Sequence, residues 1–336
     1  MNPVLVEITR AARIESAHRG AIAVCDSRGR VFAGWGDIDA AVYPRSAFKS
    51  LQALALVESG AADAFAVQPD ELALACASHS GEPMHVERVE RWLHRIGCQE
   101  SDLACGPHLP LYEPSAHAMI REGRKPFRVH NNCSGKHTGF LTLATHLGVS
   151  TAGYERPDHP VQQLVRANIA EMCDLKPQAM PFAIDGCAAP NYAIPLRNLA
   201  QAMARLADTS ALTPQRAKAA HRLVDAWRAH PELVSGTGRA CADLIRGSSG
   251  RTVVKTGAEG VFTAVLPERG LGVALKIDDG ATRGAETAMA RLLVLLGVAD
   301  ESSLLIAKHL RPTLRNWRGD DVGERRVSAA LETLAT

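Results

Sequence analysis

The sequence predicts an α/β (α+β) fold, an antiparallel sheet built from N- and C-terminal strands with helices on both faces and a helical insert. Three observations carry that expectation. Two strand-like runs joined by a turn stand near the N-terminus, three more cluster after residue 252, and most of the chain between repeats its apolar residues at helical spacing. Strands at both ends of a helical middle are most simply reconciled by one sheet that gathers the two termini. No linker and no internal repeat interrupts the 336 residues, so a single domain over 1–336 is expected, with a helical lobe at about 82–250.

The elements follow in order. Residues 20–25, the turn Asp26-Ser27-Arg28-Gly29 and residues 31–34 read as a β-hairpin. Pro44 breaks the chain, and a helix is expected from about Arg45 to Ser59, ended by Gly60. This puts Ser46 in the first turn, where free N–H groups and the helix dipole favour developing negative charge. Residues 82–96, 138–147, 160–173 and 194–206 carry helix-period apolar positions. Loops rich in Gly, Pro, Asn and Ser separate them, notably 106–108 and 130–135. Residues 252–255, 261–266 and 272–277 read as three consecutive strands; a helix over 283–296 and a polar tail containing Trp317-Arg318-Gly319-Asp320 close the chain.

Composition excludes several functions. Apolar residues make up 46% and charged residues 22%, ordinary for a soluble chain that buries a full core. A formal charge of +2 on 38 basic and 36 acidic residues gives no argument for nucleic acid or an anionic membrane as partner. Met1-Asn2-Pro3-Val4-Leu5-Val6-Glu7 lacks the basic-then-apolar pattern of a secretory signal, and no apolar run is long enough to span a bilayer. A cytoplasmic protein is expected. Its eight cysteines (25, 76, 98, 105, 133, 173, 187, 241) have no repeating spacing and are expected to be mostly buried thiols.

Ser46-Ala47-Phe48-Lys49 places a serine and a lysine at i and i+3, side by side on a helix. A lysine that has lost its proton activates such a serine as a nucleophile. Alone the pattern is weak. Lys255-Thr256-Gly257 answers it at the end of a predicted strand, and S-x-x-K followed by K-T-G is a signature of penicillin-recognising serine enzymes. Where those enzymes carry S-D-N, this chain has Ser78-His79-Ser80, which argues against a β-lactamase. Ser80 reads more naturally as a cap for the helix that follows. A last group pairs Asn131-Asn132-Cys133-Ser134-Gly135-Lys136-His137 with Asp185-Gly186-Cys187-Ala188-Ala189-Pro190. Two thiolates from separate loops suit a soft cation, zinc by default, with His137 as the ordinary further ligand and Lys136 one only after losing its proton. Cys133 as a nucleophile is the other reading, and it leaves Ser46 and Lys49 unexplained.

Taken together, Arg45–Lys49 in sequence, Ser78-His79-Ser80-Gly81-Glu82, the Cys-Ser-Gly-Lys-His block, Asp185-Gly186-Cys187 and Lys255-Thr256-Gly257 resemble the asparaginase II family of the Rhizobium etli type. The likeness runs from the N-terminal hairpin to the Arg315-Asn316-Trp317-Arg318-Gly319 tail. It implies a fold similar to serine β-lactamases, penicillin-binding proteins and glutaminases, a homodimer, and hydrolysis of L-asparagine to L-aspartate and ammonia. It also implies two Ser–Lys tandems, Ser46 with Lys49 and Ser78 with Lys255, and a zinc ion on Cys133, Lys136 and Cys187 that is not essential for catalysis.

On this reading Ser46 attacks the side-chain amide, which requires a neutral Lys49, favoured by repulsion from Lys255. The backbone N–H groups of Ser46 and Ala258 are expected to hold the oxyanion. Glu82 and Asp185 are candidates for the substrate's ammonium, Arg45 and His137 for its carboxylate. The rival readings are a glutaminase, a β-lactamase or an esterase with the same Ser–Lys chemistry, a zinc-dependent hydrolase, and a non-catalytic amino-acid sensor.

Overall fold

The computed structural model describes residues 1–334. The chain forms two compact units, one of Met1–Ala47, Ile194–Ala211 and the described residues from Asp243 on, the other of Phe48–Ala193 and Leu212–Ala242.

The first unit holds an eight-stranded sheet. Its strands are β1 (Val4–Arg10), β2 (Arg13–Asp26), β3 (Val31–Trp35), β4 (Val253–Gly257), β5 (Val261–Leu266), β6 (Leu271–Ile277), β7 (Thr313–Arg315) and β8 (Asp321–Val327). The order is β7–β8–β1–β2–β6–β5–β4, with β3 also paired to β2, and every pairing is antiparallel. The sheet is therefore gathered from the two ends of the chain, as the sequence predicts. At 14 residues β2 is long enough to pair first with β1 and then, past Gly20, with β6 and β3.

Helices cover both faces of this sheet. Gly272 of β6 lies opposite Cys25 of β2, and both face the helix Leu196–Ala207: Cys25 Sγ donates to Arg197 O at 3.6 Å. A Cβ on Gly272 would lie 2.2 Å from both Ala200 O and Ala204 N, so only glycine lets the helix backbone come this close. Residues of opposite parity on β2 point to the other face. There His18 meets the helix Thr282–Leu295, accepting from Arg283 Nε at 3.0 Å, while its Nδ1 lies 2.7 Å from Asp279 Oδ2.

Two differences from the sequence reading concern the sheet. The expected polar tail contains β7 and β8, and Val4–Arg10 is a strand of its own. Val4–Arg10 buries Leu5, Val6 and Ile8, whereas β8 has no alternating apolar face and is tied down by ion pairs. Glu7 lies directly opposite Arg326 and binds it at 3.1 Å, and Arg311 grips Glu324 through two hydrogen bonds. The expected helix at 45–59 begins as a 3-10 turn, Arg45–Phe48, and becomes α-helical over Lys49–Glu58.

The second unit is mainly helical, with Lys49–Glu58, Pro69–Ala75, Pro83–Arg95, Ser134–Leu147, Pro160–Met172 and Pro214–Ala229 as its principal helices. Four of these open on proline, whose missing N–H costs nothing in a first turn. Trp92, Trp227, Tyr154, Phe48 and Leu54 are buried at its centre. Arg216 fastens three helices by binding Glu58 Oε1 at 2.5 Å and Asn168 Oδ1 at 3.0 Å.

Gly272→Ala is expected to cost about 3 kcal/mol, because backbone of the helix Leu196–Ala207 already occupies the space of its Cβ. Gly106→Ala, where a Cβ meets nothing within 4 Å, should change stability by less than about 0.5 kcal/mol. Urea unfolding of both variants checks this, with equal midpoints overturning the packing argument.

Candidate active site

The residues singled out from sequence fall into both units. In the first, Ser46 is half-buried on the 3-10 turn, directly after Arg45, whose φ of +53° is left-handed. A non-glycine residue in that region costs about 1–2 kcal/mol, so the turn must be held from outside. Two groups hold it. Thr263 Oγ1 on β5 donates to Ala47 O at 2.8 Å, and Gly257 on β4 lies flat against the turn. A Cβ on Gly257 would stand 2.4 Å from Pro44 O and 3.1 Å from Ala47 N. The glycine of K-T-G therefore has a definite task, letting the strand touch the backbone that carries Ser46.

Lys255 is wholly buried, with Nζ donating to Thr256 O at 2.7 Å. Ala258 lies exposed in the turn after β4, where Glu259 and Gly260 both have positive φ. Lys276 Nζ on β6 donates to Glu259 O at 2.8 Å and so braces this turn.

In the second unit the central group is Lys49, buried in the first turn of its helix. Its Nζ has three polar neighbours: Ala77 O, Ser78 Oγ at 3.0 Å and Cys133 Sγ at 3.1 Å. As an ammonium, all three of its N–H groups have acceptors. As a neutral amine it must accept one hydrogen, which the carbonyl cannot give but the Ser78 hydroxyl can. Both charge states of Lys49 can thus be satisfied without an orphaned atom.

Cys133 precedes the helix Ser134–Leu147, its N–H donating to Asn131 Oδ1 at 2.8 Å. Lys136, one turn on, donates from Nζ to Cys187 Sγ at 3.0 Å. Cys187 sits in a tight turn in which Ala188 N–H donates to Asp185 O at 2.9 Å and Ala188 has a φ of +71°. The two thiols divide one proton between them. A hydrogen bond from Cys133, reinforced by Lys136 and His137, holds Cys187 far below the usual thiol range against the cost of burial. The same hydrogen bond and burial push Cys133 well above it. Burial alone would lower Lys136, but Cys187 and Cys133 outweigh it and raise its pKa.

Two sulfurs and the Lys136 nitrogen share one buried cluster, a donor set that fits a zinc ion only once Lys136 has given up its proton. Among the described residues no three His, Cys, Asp or Glu side chains gather as a metal group, so Lys136 would have to supply the nitrogen. His137 lies in the same electrostatic field. Tyr154 OH accepts from Ala104 N at 2.8 Å and stands 2.7 Å from His137 Nδ1. Burial, then Lys136, lowers the His137 pKa, which keeps the ring neutral.

The remaining candidates differ in the partners they hold. Buried Glu82 accepts from Ser80 Oγ at 2.6 Å, Thr237 N at 2.9 Å and Thr237 Oγ1 at 2.7 Å. Burial pushes its pKa up, but these hydrogen bonds outweigh that and bring it below the ordinary value. Asp185 is half-buried and takes the Gly186 N–H at 2.7 Å. Ser80 does not cap the following helix; it spends its hydroxyl on Glu82, the residue that precedes Pro83. Thr237, Arg239 and Tyr154 were not singled out from sequence. Arg239 Nη1 donates to Ser78 O at 3.1 Å, and nothing in its local pattern separates it from a surface arginine.

Comparison with known proteins agrees with the motif reading. No curated protein matches the chain. Among solved structures it is similar to a β-lactamase from Mycobacterium bovis, with 14% identity over 84% of this chain and 95% of that one and a TM-score of 0.44. The protein Mglu in its tris and glutamate form shows 18% identity over 89% of this chain and 64% of that one, TM-score 0.38. An octameric penicillin-binding protein homologue from Pyrococcus abyssi shows 14% over 85% and 75%, TM-score 0.36. A model of the L-asparaginase II family matches residues 6–327, nearly the whole chain, and the protein belongs to that family of amide hydrolases.

Proposed function

We propose that the protein is an L-asparaginase, converting L-asparagine and water to L-aspartate and ammonia through an acyl-enzyme on Ser46. The observation that carries this reading is the environment of Lys49, a buried lysine whose neighbours can satisfy it with or without its extra proton. That is what a general base requires. Ser46 lies three residues before it on one helical stretch, the spacing that brings two side chains to the same side.

In this mechanism Lys49 takes the Ser46 proton as Oγ attacks the side-chain amide carbon. The developing oxyanion is held by the N–H groups of Ser46 and Ala258, each worth about 3–4 kcal/mol. The C–N bond breaks as the departing nitrogen receives the proton, relayed through Ser78, with Lys255 acting on Ser78 as its positive partner. Water, activated by the same lysine system, then releases aspartate.

For the substrate's own charges we assign the ammonium to Asp185, since Glu82 already accepts three hydrogen bonds. The carboxylate is assigned to Arg45, because a neutral His137 offers at most an N–H. Cys133, Lys136 and Cys187 would hold zinc, whose charge would keep both thiols ionised and fix the loops that carry them. A cytoplasmic homodimer completes the reading.

Ser46→Ala should lower turnover of asparagine by roughly 10⁴-fold or more, and intact-mass analysis of the native enzyme should trap an acyl adduct. Wild-type turnover in that variant would end the nucleophile assignment. Ammonia release from asparagine is expected to exceed that from glutamine and the cleavage of a chromogenic cephalosporin. Faster cephalosporin cleavage rejects the asparaginase reading, and binding of asparagine without ammonia release makes the protein a sensor. Stripping metal with a strong chelator should leave appreciable activity, whereas loss to background would identify a zinc-dependent hydrolase.

A further inference from the structure

His79 stands where the penicillin-recognising signature has aspartate, and the mechanism above gives it no task. It is wholly buried. Its backbone N–H donates to Asn132 O at 3.1 Å. Its Nδ1 accepts the Gly81 N–H at 3.2 Å, and its Nε2 lies 2.8 Å from Ser134 Oγ. Ser134 Oγ donates its own hydrogen to Val129 O at 2.9 Å, so toward the imidazole it accepts. The tautomer follows: the proton is on Nε2, and Nδ1 is a lone pair facing an N–H.

A second proton on Nδ1 would point at the Gly81 N–H and have no acceptor. The ring of His85 stacks on it at 4.9 Å and 11°, and His85, Lys49, His108 and Arg239 all act on it electrostatically. Burial, the largest effect, and then these neighbours lower its pKa well below the ordinary histidine value.

What the ring connects gives it a role. Ser78 precedes His79 and Cys133 precedes Ser134, and Lys49 Nζ bonds both Ser78 Oγ and Cys133 Sγ. We infer that His79 is a positioning residue, a permanently neutral tie that fixes Ser78 and Cys133 at the spacing Lys49 needs, and takes no part in proton transfer. As a statement about catalysis this rests on the Ser–Lys reading above. The tie itself does not.

The test has two arms. Nitrogen-15 histidine spectra of the wild-type protein, with His79 assigned from the signals missing in His79→Gln, should show the Nε2–H tautomer unchanged from pH 5 to 9. A ring that titrates in that range overturns the inference. In the second arm, Ser134→Ala removes the acceptor, whereas His79→Gln keeps an N–H donor near the Nε2 position. Ser134→Ala should lower kcat on asparagine roughly 10–100-fold, with KM within about 3-fold and the shape of the pH profile unchanged. His79→Gln should recover part of that loss relative to His79→Ala. Wild-type kcat in Ser134→Ala and His79→Ala, or loss of a pH limb in His79→Gln, overturns the positioning role. If the wild type itself releases no ammonia from asparagine, the proposed function fails instead, and the spectra still decide whether the tie is locked and neutral.

Discussion

A buried lysine nitrogen has to be surrounded by polar atoms, and much of the second unit is arranged around that requirement. Burying the Lys49 head group without partners would cost several kcal/mol. The partners come from three places: its own helix brings the nitrogen, the segment after the helix Pro69–Ala75 brings Ala77 O and Ser78 Oγ, and the residue before the helix Ser134–Leu147 brings Cys133 Sγ. Their convergence needs the last two helices to approach closely. Gly135 permits it, since a Cβ there would lie 2.5 Å from Leu74 O. Apolar packing and polar satisfaction are in this case one constraint, met by one arrangement of backbones.

The same constraint explains the loop chemistry around it. Ser78 is fixed by its N–H to Val234 O at 2.9 Å and by Arg239 on its carbonyl, so its hydroxyl has little freedom to leave the lysine. Gly236, with a φ of +122°, passes so close to Ser80 that a Cβ would stand 1.8 Å from its hydroxyl. Glu82 then collects Ser80 and Thr237. A carboxylate used in this way stabilises the loops through charge-assisted hydrogen bonds. It is correspondingly less available to a ligand.

Much of the fold was legible because its central strands and helices are long and strongly patterned. Val261–Leu266 is fully buried and reads as a strand without ambiguity, and the proline-initiated helices announce their starts. The edge strands were not legible. Asp321–Val327 is half-exposed along nearly its whole length and has no apolar face to betray it. Its pairing rests on partners such as Glu7, more than three hundred residues away. In the site, the motif residues could be picked out by spacing, but their bonding could not. Ser80 looked like a cap and Glu82 like an ammonium ligand, because a sequence shows which groups can hydrogen-bond and not which already do. The tie between Lys49 and Cys133 was equally hidden, as neither residue's neighbours in sequence point to the other.

Each unit meets its share of the requirements by a different physical means, and this bears on which positions can vary. Around Ser46 the controlling factor is backbone proximity. Arg45 is left-handed, Gly257 has no room for a side chain, and Thr263 closes the turn with one hydrogen bond to a carbonyl. None of these three contacts depends on charge, so shape decides what is tolerated at them. Around Lys49 the controlling factor is the proton count. Ala77 O can only accept, Cys133 retains its proton while Cys187 gives one up, and Ser78 can act either way. Replacing Cys133 with a residue of similar size but no hydrogen to give would leave the volume intact and remove the hydrogen bond that Cys133 makes to Cys187. Isosteric substitution is therefore the weaker criterion at Cys133, and the stronger one at Gly257.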